Sequence, residues 1–326
     1  MDTDAPLLTI VIPTYDRAIY LHRAVSSALA IGDDVEVLVI QNGRKLSRKE
    51  ILNAFEDDER IRVRNLVQAN ANAARNLGLE LARGEFIRFL DDDDYLYPEV
   101  ARRQTIAAKD SGCDVCSGHV DLVDSDENFI SRVCQPRTND IIEATLGPTR
   151  VTLVTAHLFR TGFVRDLRWS ENLAGYQDVE WLFQVCRLPG ITWLRFDEAV
   201  GVWRQHRNAR ISRGRDPGPT VLAHAARALL DVVETLDVRG ELHERRRIAA
   251  ATSLWNWIQK GLLYGLDPWR DFARRARLLA PTSKPPGRIY HMRCFRRLDP
   301  MAIALLLLPA RLLLHIARTI VPSLRR

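Results

Sequence analysis

The chain has 326 residues, 46% of them hydrophobic and 27% charged, a balance that excludes a disordered or collagen-like polymer and suits two domains or one large domain with an appendage. The formal charge of +6 is unevenly placed: residues 267–326 hold 13 Lys or Arg against 3 Asp or Glu, a net of +10, which leaves residues 1–266 at −4. Any basic partner surface, for nucleic acid or for an anionic membrane, therefore belongs to the tail.

The amino terminus, MDTDAPLLTIVIP, starts acidic and has too short an apolar run for a signal peptide, which predicts residence in the cytosol. LLTIVI at 7–12 is a continuous β-branched run ended by Pro13 and reads as a strand buried on both faces. A helix at 19–31, a buried strand VEVLVI at 35–40, a helix at about 47–55, a short strand at 61–63, a helix at about 72–82 and a strand EFIRFL at 85–90 follow. This alternation predicts right-handed βαβ units on a parallel sheet, whose ligands collect at the carboxyl ends of the strands. Beyond residue 110 the pattern predicts strands near 114–123 and 128–133 and a hairpin from 191–196 and 199–205. Helices are expected over 220–236 and 242–263, then a proline-marked linker at 281–286. The five cysteines show no disulfide spacing, and the lone Cys113–Cys116 pair lacks the further ligands of a zinc site; all five are expected as buried thiols.

FLDDDDYLYP at 89–98 carries the strongest chemical signal. Four adjacent carboxylates about 5 Å apart raise the cost of ionising one another. A hard divalent ion with oxygen ligands, Mg²⁺ or Mn²⁺, would offset that cost. The bland alternative is a solvated acidic turn capping the helix that starts near Pro98.

Five segments in order, TIVIPTYDR (9–17), VEVLVIQNG (35–43), AARNLGLELARGEFIRFLDDDDYLYP (73–98), ENLAGYQDVEWLFQVCRL (171–188) and VWRQHRNARIS (202–212), resemble the motifs of family 2 glycosyltransferases over roughly two-thirds of the chain. The resemblance implies an α/β fold of GT-A type, Rossmann-like, with a mostly parallel sheet flanked by helices and here a C-terminal helical extension. The implied organisation is a nucleotide-sugar half at 1–110, an acceptor half at 111–215, a helical region at 216–280 and a basic, membrane-associating tail at 281–326. The implied reaction is transfer of a sugar from a nucleotide-diphospho-sugar to a glycan or lipid-linked acceptor with inversion.

By the same resemblance Asp91, Asp92 and Asp93 form the DxD motif, with Asp93 the ligand of Mn²⁺ or Mg²⁺ and Asp92 near the donor ribose; Asp94 is left as a helix cap. Pro13, Thr14, Tyr15 and Arg17 match the loop that holds base and ribose. Gln41 stands where the family most often has an Asp that reads the base, yet still offers a donor and an acceptor. Arg75 fills an ARN motif that faces the nucleotide or pairs on a helix surface. YQDVEW at 176–181 makes Asp178 the general base in preference to Glu180, which points about 200° away along a helix; helix capping is the alternative for Asp178. Gln177 replaces the family's Glu. Arg204 and His206 share one face of a strand, so that Arg204 reaches the diphosphate and His206 the metal or diphosphate shell, with Ser212 beyond.

In the tail, Arg311, His315 and Arg318 fall at i, i+4 and i+7 on an otherwise apolar helix. That pattern predicts an interfacial helix on an anionic membrane at the inner face of the cell membrane, the alternative being a helix packed on the protein or on a second subunit. Nucleic acid is not expected, since the basic residues interleave with Leu and not with stacking aromatics. Two rivals to the transferase reading are a catalytically silent glycan- or partner-binding protein and a sugar nucleotidyltransferase, although the latter's glycine-rich triphosphate loop is missing from PTYDRAIY.

Overall fold

In the computed structural model, the described residues are all but 1–4, 16–17, 44–50, 53–54, 56, 149–152, 174, 206–217, 296 and 321–326. Arg17, His206 and Ser212, and most of the helix expected at 47–55, lie outside them. The chain forms two compact units, one built from residues 1–141, 150–173 and 177–210, the other from 142–149, 174–176 and 211–326.

The first unit is a mixed sheet with helices. Its strands are β1 (Leu8–Thr14), β2 (Val35–Asn42), β3 (Ile61–Leu66), β4 (Phe86–Phe89), β5 (Tyr95–Leu96), β6 (Val115–Val123), β7 (Phe129–Val133), β8 (His157–Arg160) and β9 (Trp193–Arg204), and the helices that matter for the site are α1 (Ala18–Leu29), α2 (Ala71–Leu81), α3 (Pro98–Ser111) and α4 (Gln177–Cys186). The order is β3-β2-β1-β4-β8-β6-β9-β5, with β7 paired to β6. β1 runs parallel to β2 and β4, and β2 parallel to β3. β1 and β2 are buried along their whole length, as their mostly apolar runs require, with the buried Glu36 of β2 accepting from Thr9 and Arg83, whereas β3 is only partly buried. β8 joins β4 and β6 antiparallel.

The hairpin expected between residues 191 and 205 is one strand, β9, parallel to β6. Asp197 and Glu198 are exposed, Arg195 pairing with Asp197 at 3.1 Å and Arg103 with Glu198 at 2.5 Å, and the ladder to β6 on either side of them keeps the strand extended. The irregularity appears as a register shift opposite Ser117–Val120. The cysteines also depart in part from expectation. Cys113, Cys116 and Cys186 are buried, but Cys134 and Cys294 are exposed. A hydrogen bond with Cys116 brings the Cys113 thiol down to about 6, against the opposing effect of burial.

α2 is set by its cap and by one glycine. The Asn70 side chain accepts from the N–H groups of Asn72 (2.9 Å) and Ala73 (3.1 Å). Gly78 lets the helix lie directly on β1, since a Cβ there would stand 2.2 Å from Val11 Cγ1. α4 is set by aromatics: Trp181 stacks on Trp169 at 4.7 Å, and Phe89 of β4 meets both rings edge-on at 5.5 and 5.1 Å.

The second unit is helical: α5 (Gly218–Val238), α6 (Glu244–Gly261), α7 (Trp269–Leu279) and α8 (Pro300–Ile320). Leu222, Leu229, Leu236, Trp255, Ile258 and Trp269 fill its core. The stretch expected as a linker is packed here, with Trp255 Nε1 donating to Ser283 Oγ at 3.2 Å.

Gly78→Ala should lower stability by about 1–3 kcal/mol, the usual range for an added methyl with no room, because Val11 is strand core and has nowhere to move. Denaturant unfolding with the native m-value and a lower midpoint is the expected result.

Candidate active site

The carboxyl ends of β1, β2 and β4 converge, as a parallel arrangement requires, and the acidic run follows β4 directly. It is not a solvated turn. Asp92, Asp93 and Asp94 are buried at 5%, 7% and 3% exposure. Nor does it cap α3, whose N-cap is Tyr97 without a side-chain bond. Asp91, Asp92 and Asp94 bond to groups from elsewhere in the chain. Asp91 pairs with Arg75 Nη2 at 2.6 Å, and Asp92 accepts from Thr14 Oγ1 at 2.8 Å. Asp94, expected as a cap, accepts the Arg204 backbone N–H at 3.0 Å and Thr155 Oγ1 at 3.2 Å, tying the acidic turn to β9 and to the segment before β8. One carboxylate oxygen from each of Asp91, Asp93 and Asp94 lies within 4.8 Å of the others. That all-oxygen set fits a hard divalent ion.

Arg75 ties the acidic turn to α4. Its guanidinium is 5% exposed. Nη1 donates to Asn72 Oδ1 at 2.8 Å and Gln177 Oε1 at 3.2 Å, and the cation sits 4.7 Å over the Trp169 ring. Arg75 is thus buried among these partners and does not pair on an exposed helix surface.

Asp178 is in the first turn of α4 and half-buried. Burial pushes its carboxyl up to about 7, with Asp91 adding to the rise, while Arg75 and the Val154 N–H, 3.4 Å away, oppose it. Such a group is poised to take a proton near neutral pH. It does not act as an N-cap, because α4 already begins at Gln177. Glu180 is directed elsewhere, its two oxygens accepting from Gln184 Nε2 at 2.8 and 2.9 Å. Gln177 also donates to the Leu173 carbonyl at 3.0 Å, so the amide bridges Arg75 and the backbone in a way a Glu would not.

On the opposite side, Pro13 and Thr14 end β1 buried, and Gln41 is buried at the matching position of β2. Asn42 Nδ2 donates to the Thr14 carbonyl at 3.0 Å, closing the two strand ends together. Tyr15 is 52% exposed, and its ring lies on Gly43: with φ of +99° that residue has room for no side chain, since a Cβ would fall 2.4 Å from Tyr15 Cε2. Arg204 is turned from the carboxylates. Its Nε pairs with Glu127 at 2.6 Å and Nη2 donates to the Ser125 carbonyl at 2.8 Å. Glu127 holds a second cation, Arg23, at 2.6 Å and adopts φ of +65°.

Sequence reasoning did not find Thr155, Asn72 or Trp169. Thr155 is separated by 61 residues from the Asp94 it bonds. A buried tryptophan shortly before the Asp178 motif was the one available signal for the α4 support.

A model of the glycosyl transferase family 2 matches residues 9–170. An uncharacterized glycosyltransferase of Rickettsia bellii is 26% identical over 199 residues, 59% of this chain and 29% of that protein. One from Nostoc is 27% identical over 189 residues, 57% of this chain and 55% of that protein. The chain thus matches between about a third and a half of the length of these relatives. A GalNAc(5)-diNAcBac-PP-undecaprenol beta-1,3-glucosyltransferase of Campylobacter jejuni is 34% identical over 95 residues, 28% of this chain and 31% of that protein. Among solved structures, S. aureus TarS 1-349 in complex with UDP-GlcNAc aligns with a TM-score of 0.58 at 18% identity, over 84% of this chain and 89% of that one. With the motif order and the matched model in agreement, residues 9–170 form a family 2 glycosyltransferase domain.

Proposed function

We propose that the protein transfers a glycosyl group from a nucleotide-diphospho-sugar to a hydroxyl of a glycan or lipid-linked acceptor, with inversion at the sugar carbon. The observation that carries this reading is the convergence of Asp91, Asp93 and Asp94 beside a half-buried Asp178, with Arg75 between the two. The Campylobacter relative's name supplies the precedent for a lipid-linked acceptor.

Asp178 takes the proton from the acceptor hydroxyl. The hydroxyl oxygen bonds to the anomeric carbon on the face opposite the nucleotide, and the electron pair of the breaking C–O bond leaves with the diphosphate. Arg75 restrains the upward shift of Asp178, so that the group is ionised in a useful fraction near neutral pH while still basic enough to accept a proton. Asp93 is the expected principal ligand of Mn²⁺ or Mg²⁺, with Asp91 and Asp94 in the same cluster. Such an ion, when bound, would stabilise the charge that grows on the departing diphosphate. Pro13, Thr14, Tyr15 and Gln41 line the side proposed for base and ribose, where Asp92 is fixed by Thr14. Arg204 enters this reading through its backbone N–H on Asp94; Arg17 and His206 keep only the roles the motif implies for them.

Release of nucleotide from UDP-, GDP- and dTDP-sugars, with and without Mn²⁺, tests the activity itself. No metal-dependent turnover of any of them, with acceptor extracts supplied, would contradict it. Asp93→Asn should abolish metal stimulation of that turnover at an unchanged melting temperature. Asp178→Asn should keep donor affinity and lose transfer by about 10²–10⁴-fold, the usual worth of a general base; near-native transfer would move the role elsewhere.

A linkage prediction tests the raised pKa of Asp178 itself. Its folded-state pKa of about 7 lies above the unfolded value, so the folded protein binds the proton more tightly. The stability this confers is complete at acid pH, falls as the unfolded chain begins to ionise and is gone above about pH 7. In metal-free protein Asp178→Asn should therefore gain stability relative to native as pH rises, by up to about 4 kcal/mol. Thermal melts across pH that run parallel for the two proteins would contradict the shift.

A further inference from the structure

Arg311 and His315 of the polar stripe of α8 are turned inward. His315 meets the Tyr264 ring edge-on at 6.1 Å. Arg311 is half-buried and interacts electrostatically with the buried Tyr290. Arg311 Nη1 and the Tyr290 hydroxyl are both buried without a hydrogen-bond partner among the described residues, so this inward face is not satisfied as a well-packed polar interface would be. At the start of the helix Met301, Ile303 and Ala304 anchor it in the core of the helical unit.

The opposite face holds Leu305, Leu306, Leu313, Leu314 and Ile316, exposed by 40% to 70%. With about 100° of turn per residue they share one broad arc with Ala302, Pro309 and Ala310, and no charged residue stands in it. A soluble amphipathic helix has the reverse polarity, with leucines inward and arginine outward. Only 22% of the window Pro300–Ala317 is buried, although it is long and apolar enough to cross a membrane.

We infer that this outward leucine face of α8 docks on an anionic lipid surface, lying in the plane of the interface. The charge of the segment selects that occupant. Residues 267–326 carry +10, and the exposed Arg288, Arg293 and Arg297 shortly precede the helix, so an anionic leaflet attracts it. A second copy would set two such segments against each other with like charge. A spanning helix would have to abandon the contacts of Met301, Ile303, Ala304 and His315, which an interfacial one retains. The inference rests on the helical unit alone and stands or falls apart from the transfer reading.

Sedimentation of the full chain, without donor or metal, with phosphatidylcholine vesicles and with vesicles of phosphatidylcholine mixed with phosphatidylglycerol provides the test. Native protein should pellet with the mixed vesicles only, and salt should release it, since exposed charges are screened at a Debye length of about 8 Å. The exposed-face variant Leu306→Gln with Leu313→Gln should bind about 100-fold more weakly at an unchanged melting temperature. Native protein that stays in the supernatant with mixed vesicles overturns the inference whatever the variant does. So does binding to both vesicles that resists salt and carbonate, the mark of a spanning helix. A native dimer in vesicle-free light scattering that the double variant dissociates would assign the face to a second copy.

Discussion

Mutual repulsion among Asp91, Asp92, Asp93 and Asp94 is the constraint to which the surrounding elements answer. Three of the four are buried, where carboxylates are costly unless paired or hydrogen-bonded. Each elaboration of the fold near the site answers one of them: the β1 end through Thr14, β9 through the Arg204 N–H, the segment before β8 through Thr155, and α2 through Arg75. Because these partners come from four separate stretches, the acidic run also fixes where those stretches must meet. A divalent ion seated among Asp91, Asp93 and Asp94 would offset their mutual repulsion and attract an anionic diphosphate to the turn.

Arg75 carries this constraint across to the proposed base. Its cation bonds to Asp91 and opposes the rise of Asp178, so the protonation of one side of the site depends on the charge of the other. The aromatic contacts of Phe89, Trp169 and Trp181 keep the distance between β4 and α4 from drifting. A rigid, dry support of this kind is what an acid–base group needs if its pKa is to be set by neighbours and not averaged by solvent.

Much of this was legible in the sequence, for a physical reason. Strands buried on both faces are dominated by apolar residues, so β1, β2 and β4 declared themselves despite the buried Glu36 and Arg88, and the strand-end rule then pointed to Asp91–Asp94. The order of motifs supplied Asp178. What escaped was decided by long-range partners. Asp94 was read as a cap because Thr155 and Arg204 are far away in sequence. Residues 191–205 read as a hairpin in the sequence because Asp197 and Glu198 interrupt the apolar pattern, whereas the ladder to β6 on either side of them keeps β9 extended. Periodicity identified the polar stripe of α8 but not its direction, which Tyr264 and Tyr290 determine.

The central claim is that the acidic turn is a joint site for cation and diphosphate. Calorimetric titration of the native protein with nucleoside diphosphates, in the presence and absence of Mn²⁺, tests it most directly. The account predicts that at least one nucleotide binds tightly only with the ion, and that the ion alone binds weakly. Equal nucleotide affinity under both conditions, or no binding of any nucleotide in either, would contradict it.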